Sequence, residues 1–566
     1  MKTSFLVQFF RYNTNLVISF YFLFFTLSIA LYTSLSAPIL EPDSIGYQET
    51  AEEPFSIVNT LTSIRTPIYP LLLRFSKDAT GSFGPVLVFQ SLIYAFSVYY
   101  LFFQLTKAGF KAWVAISSTT PLFFSPILYQ FGHAYLTETL GTGIAISSFA
   151  STIPFLVRKE NRFDLLALAV TSFLAILTRP AFLFIPLFVF FALWTLRPRE
   201  IGRDSLISHT KKSLLPLIAT VIPLLFYSLL RLIVVGHFGL VSFGGTNLAG
   251  LALNPSILTT EVANQFEDKE TREAAKAILI KRKELLANGI PSLPDTPSYL
   301  LDEKEFSNQP LLETWSAAYN ISCWNVGVPA VAAHLDVPET RGTPTWALVN
   351  KTLSKVSRSA VIANPIPYVR WIFVATTETY QNFFRVESLQ CKLISLFLLT
   401  ITILTVCNII SSIQLKSIDI WKVSTCLTAL LFTTILLGNN YYLVISTLFF
   451  LCNGTIAPVL IPGLFLAYSI CYVLFKTILD IRNLSSAPCI YSIILAASAL
   501  YFLSGLLLVV LVEIPLDRYL LAIIPPFSVG IFLGLTQACD YLLNKRLLLF
   551  FRSSRQPQQE VNAHCP

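Results

Sequence analysis

Asp43, Tyr47, Arg65, Tyr69, His133, Glu138, Arg179 and Arg518 are the side chains through which this sequence could do chemistry, and all of them fall at the ends of long apolar runs. "EPDSIGYQE" (41–49) follows the first run, and "SIRTPIYPLL" (63–72) leads into the second. His133 and Glu138 separate the third and fourth runs, and Arg179 the fifth and sixth. Arg231 closes the seventh, and Glu513, Asp517 and Arg518 lie between the last two. Taken singly, each has a plainer use. Arg179 and Arg518 would serve as snorkelling anchors, Glu138 as an acid complementing a helix N-terminus, and Asp43 as an ordinary loop residue. Gathered on one side they mean more, because ionisable groups near lipid are costly and tend to face a cavity or one another. Together they suit transfer from a lipid-linked phosphosugar. A carboxylate takes the proton of an attacking hydroxyl, and arginine forks hold a phosphate and stabilise charge on the leaving group. The same groups would line an anion transporter's path, so residue types alone leave both readings open.

The elements that must position these groups are membrane helices. Of 566 residues, 54% are hydrophobic and 13% charged, with a mean hydropathy of +0.65. Ordinary soluble domains carry about 25% charged residues. Apolar stretches long enough for a ~30 Å hydrocarbon core recur along the chain, and in lipid they must be helical to satisfy their backbone internally. Spans are expected near 16–37, 82–105, 112–130, 137–157, 163–178, 180–196 and 213–235, then 389–412, 425–446, 456–476, 489–512 and 519–541. The expected fold is an all-α polytopic membrane protein with about 12 transmembrane helices, in a range of about 11–13. The range comes from 425–476, where Gly438-Asn-Asn and Asn453-Gly interrupt the pattern.

The net charge of +8 reports topology and not nucleic-acid binding. Lys107/Lys111, Arg158/Lys159/Arg162, Arg197/Arg199/Arg203, Lys211/Lys212 and Lys545/Arg546/Arg552/Arg555 are short clusters between spans, the mark of cytoplasmic loops. Lys2 and Arg11 keep the N-terminus inside, and the first span, read as retained, exits near Ser36. The eight candidate residues then share the outer face. The chain divides into an N-terminal membrane module (1–235, with a first external loop at 38–66), an extracytoplasmic insert (236–388), C-terminal transmembrane helices (389–545) and a cytoplasmic tail (546–566). Nine cysteines, none in a CxxC pair, give no disulfide framework or zinc site.

The insert holds a quarter of the chain's charged residues within 255–320 and is expected to be a mixed helical and irregular domain on the membrane surface. "TTEVANQFEDKETREAAKAILIKRKELLANG" (259–289) has helical composition and ends in an Asn-Gly stop. Its 266–286 portion suits either an interfacial amphipathic helix or, more commonly, a solvated charged one. "FGGTNLAG" (243–250) reads as a tight glycine turn, without the strand–turn–helix context of a phosphate cradle. Asn320, Asn350 and Asn453 begin glycosylation triplets.

Several motifs resemble one family in order and on one face. "PDSIGYQETA" (42–51) followed by "RTPIYPLLL" (65–73) resembles the first external loop of GT-C glycosyltransferases, in particular glycosyltransferase family 39 and the aminoarabinose-transferase-like group. "YLTETL" (135–140) resembles that group's second acidic position, "LTRPAFLFIPL" (177–187) its Thr-Arg-Pro start of a later span, and "DRYLLAIIPP" (517–526) the Arg-Tyr run before the last one. The resemblance implies a GT-C-like fold and an inverting, polyprenyl-phosphate-sugar-dependent enzyme. It implies Asp43 as catalytic base, Glu138 as its support, and Arg65, Arg179 and Arg518 as contacts to phosphate and carrier. Tyr47 and Tyr69 lie inside matching motifs, and His133 is a polar neighbour of Glu138. The group often carries adjacent acids in the first loop. Here Ser44 follows Asp43, so a divalent metal is possible but no certain cofactor is indicated.

The expected activity is transfer of a sugar from a polyprenyl-phosphate donor to a hydroxyl of a lipid, glycan or protein acceptor, on the outer face of a bacterial inner membrane. The competing reading is a transporter or flippase of a lipid-linked or anionic substrate, which would spread polar groups to the midplane and show paired halves. A non-catalytic assembly protein would leave the rim charges without convergent geometry.

Overall fold

A computed structural model describes residues 14–198, 206–341, 343–385, 490–515, 518–534 and 536. The spans expected at 389–412, 425–446 and 456–476, the tail 546–566, Asp517 and the Asn453 triplet lie outside the described residues. What is described is helical and contains no β-strand; Ile39 and Ala134 form an isolated bridge.

Among the described residues, four helices are long and apolar enough to cross a membrane: Pro85–Ala108, Thr137–Leu156, Ile207–Val235 and Ile490–Val512. Phe22–Leu35, Val114–Phe123, Pro180–Leu196 and Arg518–Gly534 are shorter apolar segments. The 137–156 helix forms the centre, packed between 85–108 and Arg162–Thr178 and buried along almost its whole length. Glycines make this possible. A Cβ on Gly143 would lie 2.8 Å from the Tyr94 backbone, and one on Gly141 would lie 3.0 Å from the Phe182 ring. By contrast, the 207–235 helix turns Leu215, Ile218, Ile222, Leu225, Phe226 and Ile233 outward. A continuous exposed aliphatic stripe of this length is unfavourable in water and suited to acyl chains.

One expected span is broken. In place of a helix over 112–130 the chain forms Ala112–Thr119, a 3-10 turn at Thr120–Phe124 and a short helix at Pro126–Phe131. Pro121 and Pro126 both remove backbone donors. Thr120 before Pro121 stays helical at φ −51°, ψ −44°, whereas Pro126 holds the residue before it out of the helical region, with Ser125 extended at φ −61°, ψ 133°.

The insert is more helical than expected. Thr260–Asn264 and Lys269–Asn288 divide the predicted 259–289 helix, because Asp268 caps a new N-terminus by accepting from Thr271 N–H at 3.0 Å. The Asn-Gly stop holds, with Gly289 at φ +76°. Ala274, Ala275, Ile278 and Leu285 pack into the insert's own core, so this helix is neither free in solvent nor laid on a membrane by its apolar face. "FGGTNLAG" is not a turn: Gly244–Ala252 is a helix. Its glycines serve close packing, since a Cβ on Gly245 would sit 2.0 Å from the Asn350 carbonyl oxygen and one on Gly250 would strike the Tyr319 ring at 2.4 Å. Asn350 is buried and its Oδ1 accepts from Gly245 and Thr246 N–H, which removes it as a modification site.

Basic and acidic groups meet at one end of the bundle. Lys107 pairs with Asp164 at 2.9 Å, Lys159 donates to the carbonyls of Lys107 and Ala108, and Arg197 pairs with Glu160. The candidate residues gather at the opposite end.

Candidate functional site

The first loop folds into two short helices, Pro42–Glu52 and Ile57–Thr62, and is followed by a third, Ile68–Thr80. Pro42 suits the first helical position, and Ser44 Oγ accepts the Glu41 N–H at 3.1 Å. Asp43 therefore lies in a helix's first turn, where a carboxylate complements unsatisfied amides. Ser44, which stands where a second acid was sought, is buried and holds the helix start. Ser56 caps the second helix through Asn59 N–H at 2.9 Å.

Asp43 is clamped between two arginines from distant parts of the chain. Arg65 Nη2 donates to Oδ1 at 2.9 Å and Arg518 Nη1 to Oδ2 at 2.7 Å. Arg65 lies over the Tyr47 ring at 4.5 Å. Gly46 gives it room, since a Cβ there would come within 3.1 Å of Arg65 Nη2. Next to Arg65, Thr66 Oγ1 donates to the Thr178 carbonyl at 3.0 Å, tying the loop to the residue before Arg179.

Arg179 is set by the proline after it. The residue before proline is pushed to extended geometry, and Arg179 sits at φ −151°, ψ 117°, ending the 162–178 helix. Its Nη1 lies 3.1 Å from Glu138 Oε1, with both side chains buried, at 7% and 3% exposure. Arg179 and Arg518 share one aromatic plate: their guanidinium carbons lie 4.6 and 5.2 Å from the Tyr519 ring centre, a cation–π arrangement. Tyr519 is held in turn by Glu513, whose Oε1 accepts its hydroxyl at 2.6 Å. Asp43, Arg65, Arg518, Tyr519, Glu513, Arg179 and Glu138 thus form one continuous polar cluster.

The cluster is not saturated. Arg65 Nε, Arg518 Nε, Arg179 Nη1 and Glu138 Oε2 are buried without a hydrogen-bond partner; the 3.1 Å Arg179–Glu138 approach is an ion pair at an angle that makes no hydrogen bond. Unmet donors on three guanidiniums are costly to leave and mark a place where an anion's oxygens would be stabilised. Burial pushes the Asp43 carboxyl up, but the charges and hydrogen bonds of Arg65 and Arg518 outweigh it and hold it below its ordinary value. For Glu513 burial prevails over Tyr519, Arg518 and Arg179, and its carboxyl is raised. Beside Arg65 opens a shallow groove lined in part by Thr50, Phe55, Thr60, Ser63 and Arg74.

Two other sequence candidates lie off this cluster. Tyr69 is fully buried, its ring edge-on to Tyr47 at 5.3 Å and its hydroxyl donating to Gln90 Oε1 at 3.2 Å, so it backs Tyr47. His133 is half-buried with its ring edge-on to Tyr32, and burial lowers its pKa; its carbonyl accepts the Ile39 N–H at 2.9 Å. Arg231, though wholly buried, spends its donors on Leu61 O, Gly239 O and Ser242 Oγ at 2.8, 2.8 and 2.9 Å. It staples the first loop to the start of the insert. Tyr519 and Glu513 were not among the sequence's site residues, although Tyr519 stands inside the Arg-Tyr run and Glu513 at the rim.

The insert reaches the cluster. Trp371 Nε1 donates to the Val510 carbonyl at 3.0 Å and the Tyr368 hydroxyl to Leu511 O, satisfying carbonyls that a helix C-terminus leaves open. This fixes the end of the 490–512 helix, from which Glu513 follows. The Tyr319 hydroxyl, also of the insert, is pushed up by burial, with Glu513 and Tyr519 adding to the effect.

No three His, Cys, Asp or Glu side chains group as a metal set among the described residues. Both oxygens of Asp43 face guanidiniums, an arrangement that suits an anion and not a divalent cation. The chain matches no family model, no curated protein and no solved structure.

Proposed function

We propose that this chain is a GT-C-type integral membrane glycosyltransferase of about 12 transmembrane helices, acting on the outer face of a bacterial cell membrane. The donor is a sugar linked to a polyprenyl phosphate, and the acceptor a hydroxyl of a lipid, glycan or protein. The observation that carries this reading is the convergence of Arg65, Arg179 and Arg518, each with an unmet donor, around Asp43 and Glu138 at one end of an apolar bundle. A lipid-linked substrate presents its phosphate at such a rim while its tail stays among apolar helices. The acceptor oxygen attacks the anomeric carbon and gives its proton to Asp43. The anomeric C–O bond to phosphate breaks, and its electrons go to a phosphate oxygen stabilised by the arginines. Glu138 orients Arg179 toward that phosphate, and Tyr47 and Tyr519 hold the planes of Arg65, Arg179 and Arg518.

The test is transfer of labelled sugar from a polyprenyl-phosphate donor by the purified full chain. Asp43→Asn should express and fold as the wild type and transfer nothing; full activity in that variant removes Asp43 as base.

A further inference from the structure

Asp43 is poorly suited to act as a base in the state the free protein holds it. Both of its oxygens accept guanidinium hydrogen bonds, from Arg65 at 2.9 Å and Arg518 at 2.7 Å. A carboxylate so paired is ionised but weakly basic, since neighbouring positive charge favours the deprotonated form. The same two arginines keep an unmet Nε each, and Arg179 beside them an unmet Nη1. Guanidinium forks bind carboxylates and phosphates by the same paired geometry. A carboxylate bridging Arg65 and Arg518 and a phosphate bridging them are therefore alternative occupants of one seat. Asp43 is a third exposed and sits in the first turn of an 11-residue helix preceded by extended backbone at Glu41, φ −87°, ψ 160°. Its side chain can leave the seat by rotation, without moving a membrane helix.

Resting on the reading of this cluster as a donor-phosphate site, we propose that Asp43 itself occupies the phosphate seat between Arg65 and Arg518 in the free protein. Donor phosphate displaces it, so that seating the donor and releasing the base are a single event. The displaced carboxylate loses two cationic partners and gains an anionic neighbour, and each change raises its proton affinity. Asp43 becomes a competent base only when the donor is in place. When the phosphate leaves with its carrier, Asp43 returns to the arginines. By linkage, whatever Asp43 gains from the arginine pair is subtracted from the site's affinity for phosphate.

The competition is read by binding farnesyl phosphate to the full chain in detergent, with farnesol as the uncharged control. Asp43→Asn and Asp43→Ala should each bind farnesyl phosphate about tenfold or more tightly than the wild type, since like-charge juxtaposition is removed. Farnesol binding should be unchanged and sugar transfer lost, so binding and turnover move in opposite directions. Asp43→Glu, which keeps the charge, should show no tightening. Unfolding midpoints are compared for all variants, and two neutral substitutions guard against one that does not fold. Equal or weaker farnesyl phosphate binding in the neutral variants, or equal tightening in Asp43→Glu, overturns the inference while leaving the donor-phosphate reading intact. If no form of the protein prefers farnesyl phosphate to farnesol, the donor-phosphate reading falls and this inference with it.

Discussion

Glu138 and Arg179 form the buried half of the cluster, and replacing Glu138 by Gln is the sharpest probe of its electrostatics. The charged atoms are 3.1 Å apart with side chains 3% and 7% exposed. At an effective dielectric of ~20, attraction at this separation is about 5 kcal/mol. Most of it offsets the desolvation of the two ions, so the pair's net contribution is small, while removing one partner alone strands a buried charge at a cost of about 3–5 kcal/mol. Glu138→Gln retains an acceptor oxygen, which places its loss near the lower end, about 3 kcal/mol. Arg179→Met should cost a similar amount by stranding Glu138. The double variant Glu138→Gln/Arg179→Met leaves no ion behind and should recover most of the loss, a coupling of at least about 1.5 kcal/mol. The assay is unfolding in mixed micelles for all four proteins, with sugar transfer measured in parallel. Stability should return in the double variant and transfer should not. A Glu138→Gln loss below about 0.5 kcal/mol, the range of ordinary surface substitutions, would refute the account of a buried, mutually dependent pair.

Gly245→Ala should destabilise the insert by about 1–3 kcal/mol or more, because its Cβ would lie 2.0 Å from a backbone oxygen that cannot turn aside; earlier proteolytic cleavage within 236–385 of the full chain reports it. Arg231→Lys cannot serve the three acceptors of the guanidinium. Each orphaned buried acceptor costs about 1–3 kcal/mol, so a large drop in unfolding midpoint is expected without change in farnesyl phosphate preference among molecules that remain folded. Asp43 gives a pH signature. Its folded pKa lies below the unfolded value, so its contribution is present above the unfolded carboxylate range and is lost as pH falls through the folded value. The midpoint difference between wild type and Asp43→Asn should be small, as for a partly exposed pair, and should shrink further between pH 7 and pH 3; a difference that grows on acidification contradicts the sign.

The bundle was legible because apolar runs and their charged boundaries obey bilayer dimensions, and Pro85–Ala108, Thr137–Leu156 and Ile490–Val512 fall close to the expected spans. The broken 112–131 segment was not, because the run is apolar throughout and Pro121 and Pro126 act locally. Asp43, Arg65, Glu138, Arg179 and Arg518 stood out as ionisable residues at span ends, and they come together. Which acid pairs with which base was not legible: Asp43 and Arg518 are brought within 2.7 Å by tertiary structure alone. Arg231 shares the same placement at a span end, yet it is a staple, since a guanidinium satisfied largely by backbone carbonyls leaves no pattern in sequence. The glycines of 243–250 misled in another way. Two glycines in a row suggest a turn, whereas here they let a helix approach Asn350 and Tyr319 closely.

A structure of the full chain with a polyprenyl phosphate bound would show directly where the phosphate sits. The phosphate is expected among Arg65, Arg179 and Arg518, within hydrogen-bond reach of their unmet donors and with Asp43 turned away from Arg65 and Arg518. A phosphate held inside the bundle between the 85–108 and 137–156 helices, as on a transport path, with the Asp43 clamp intact, would contradict it.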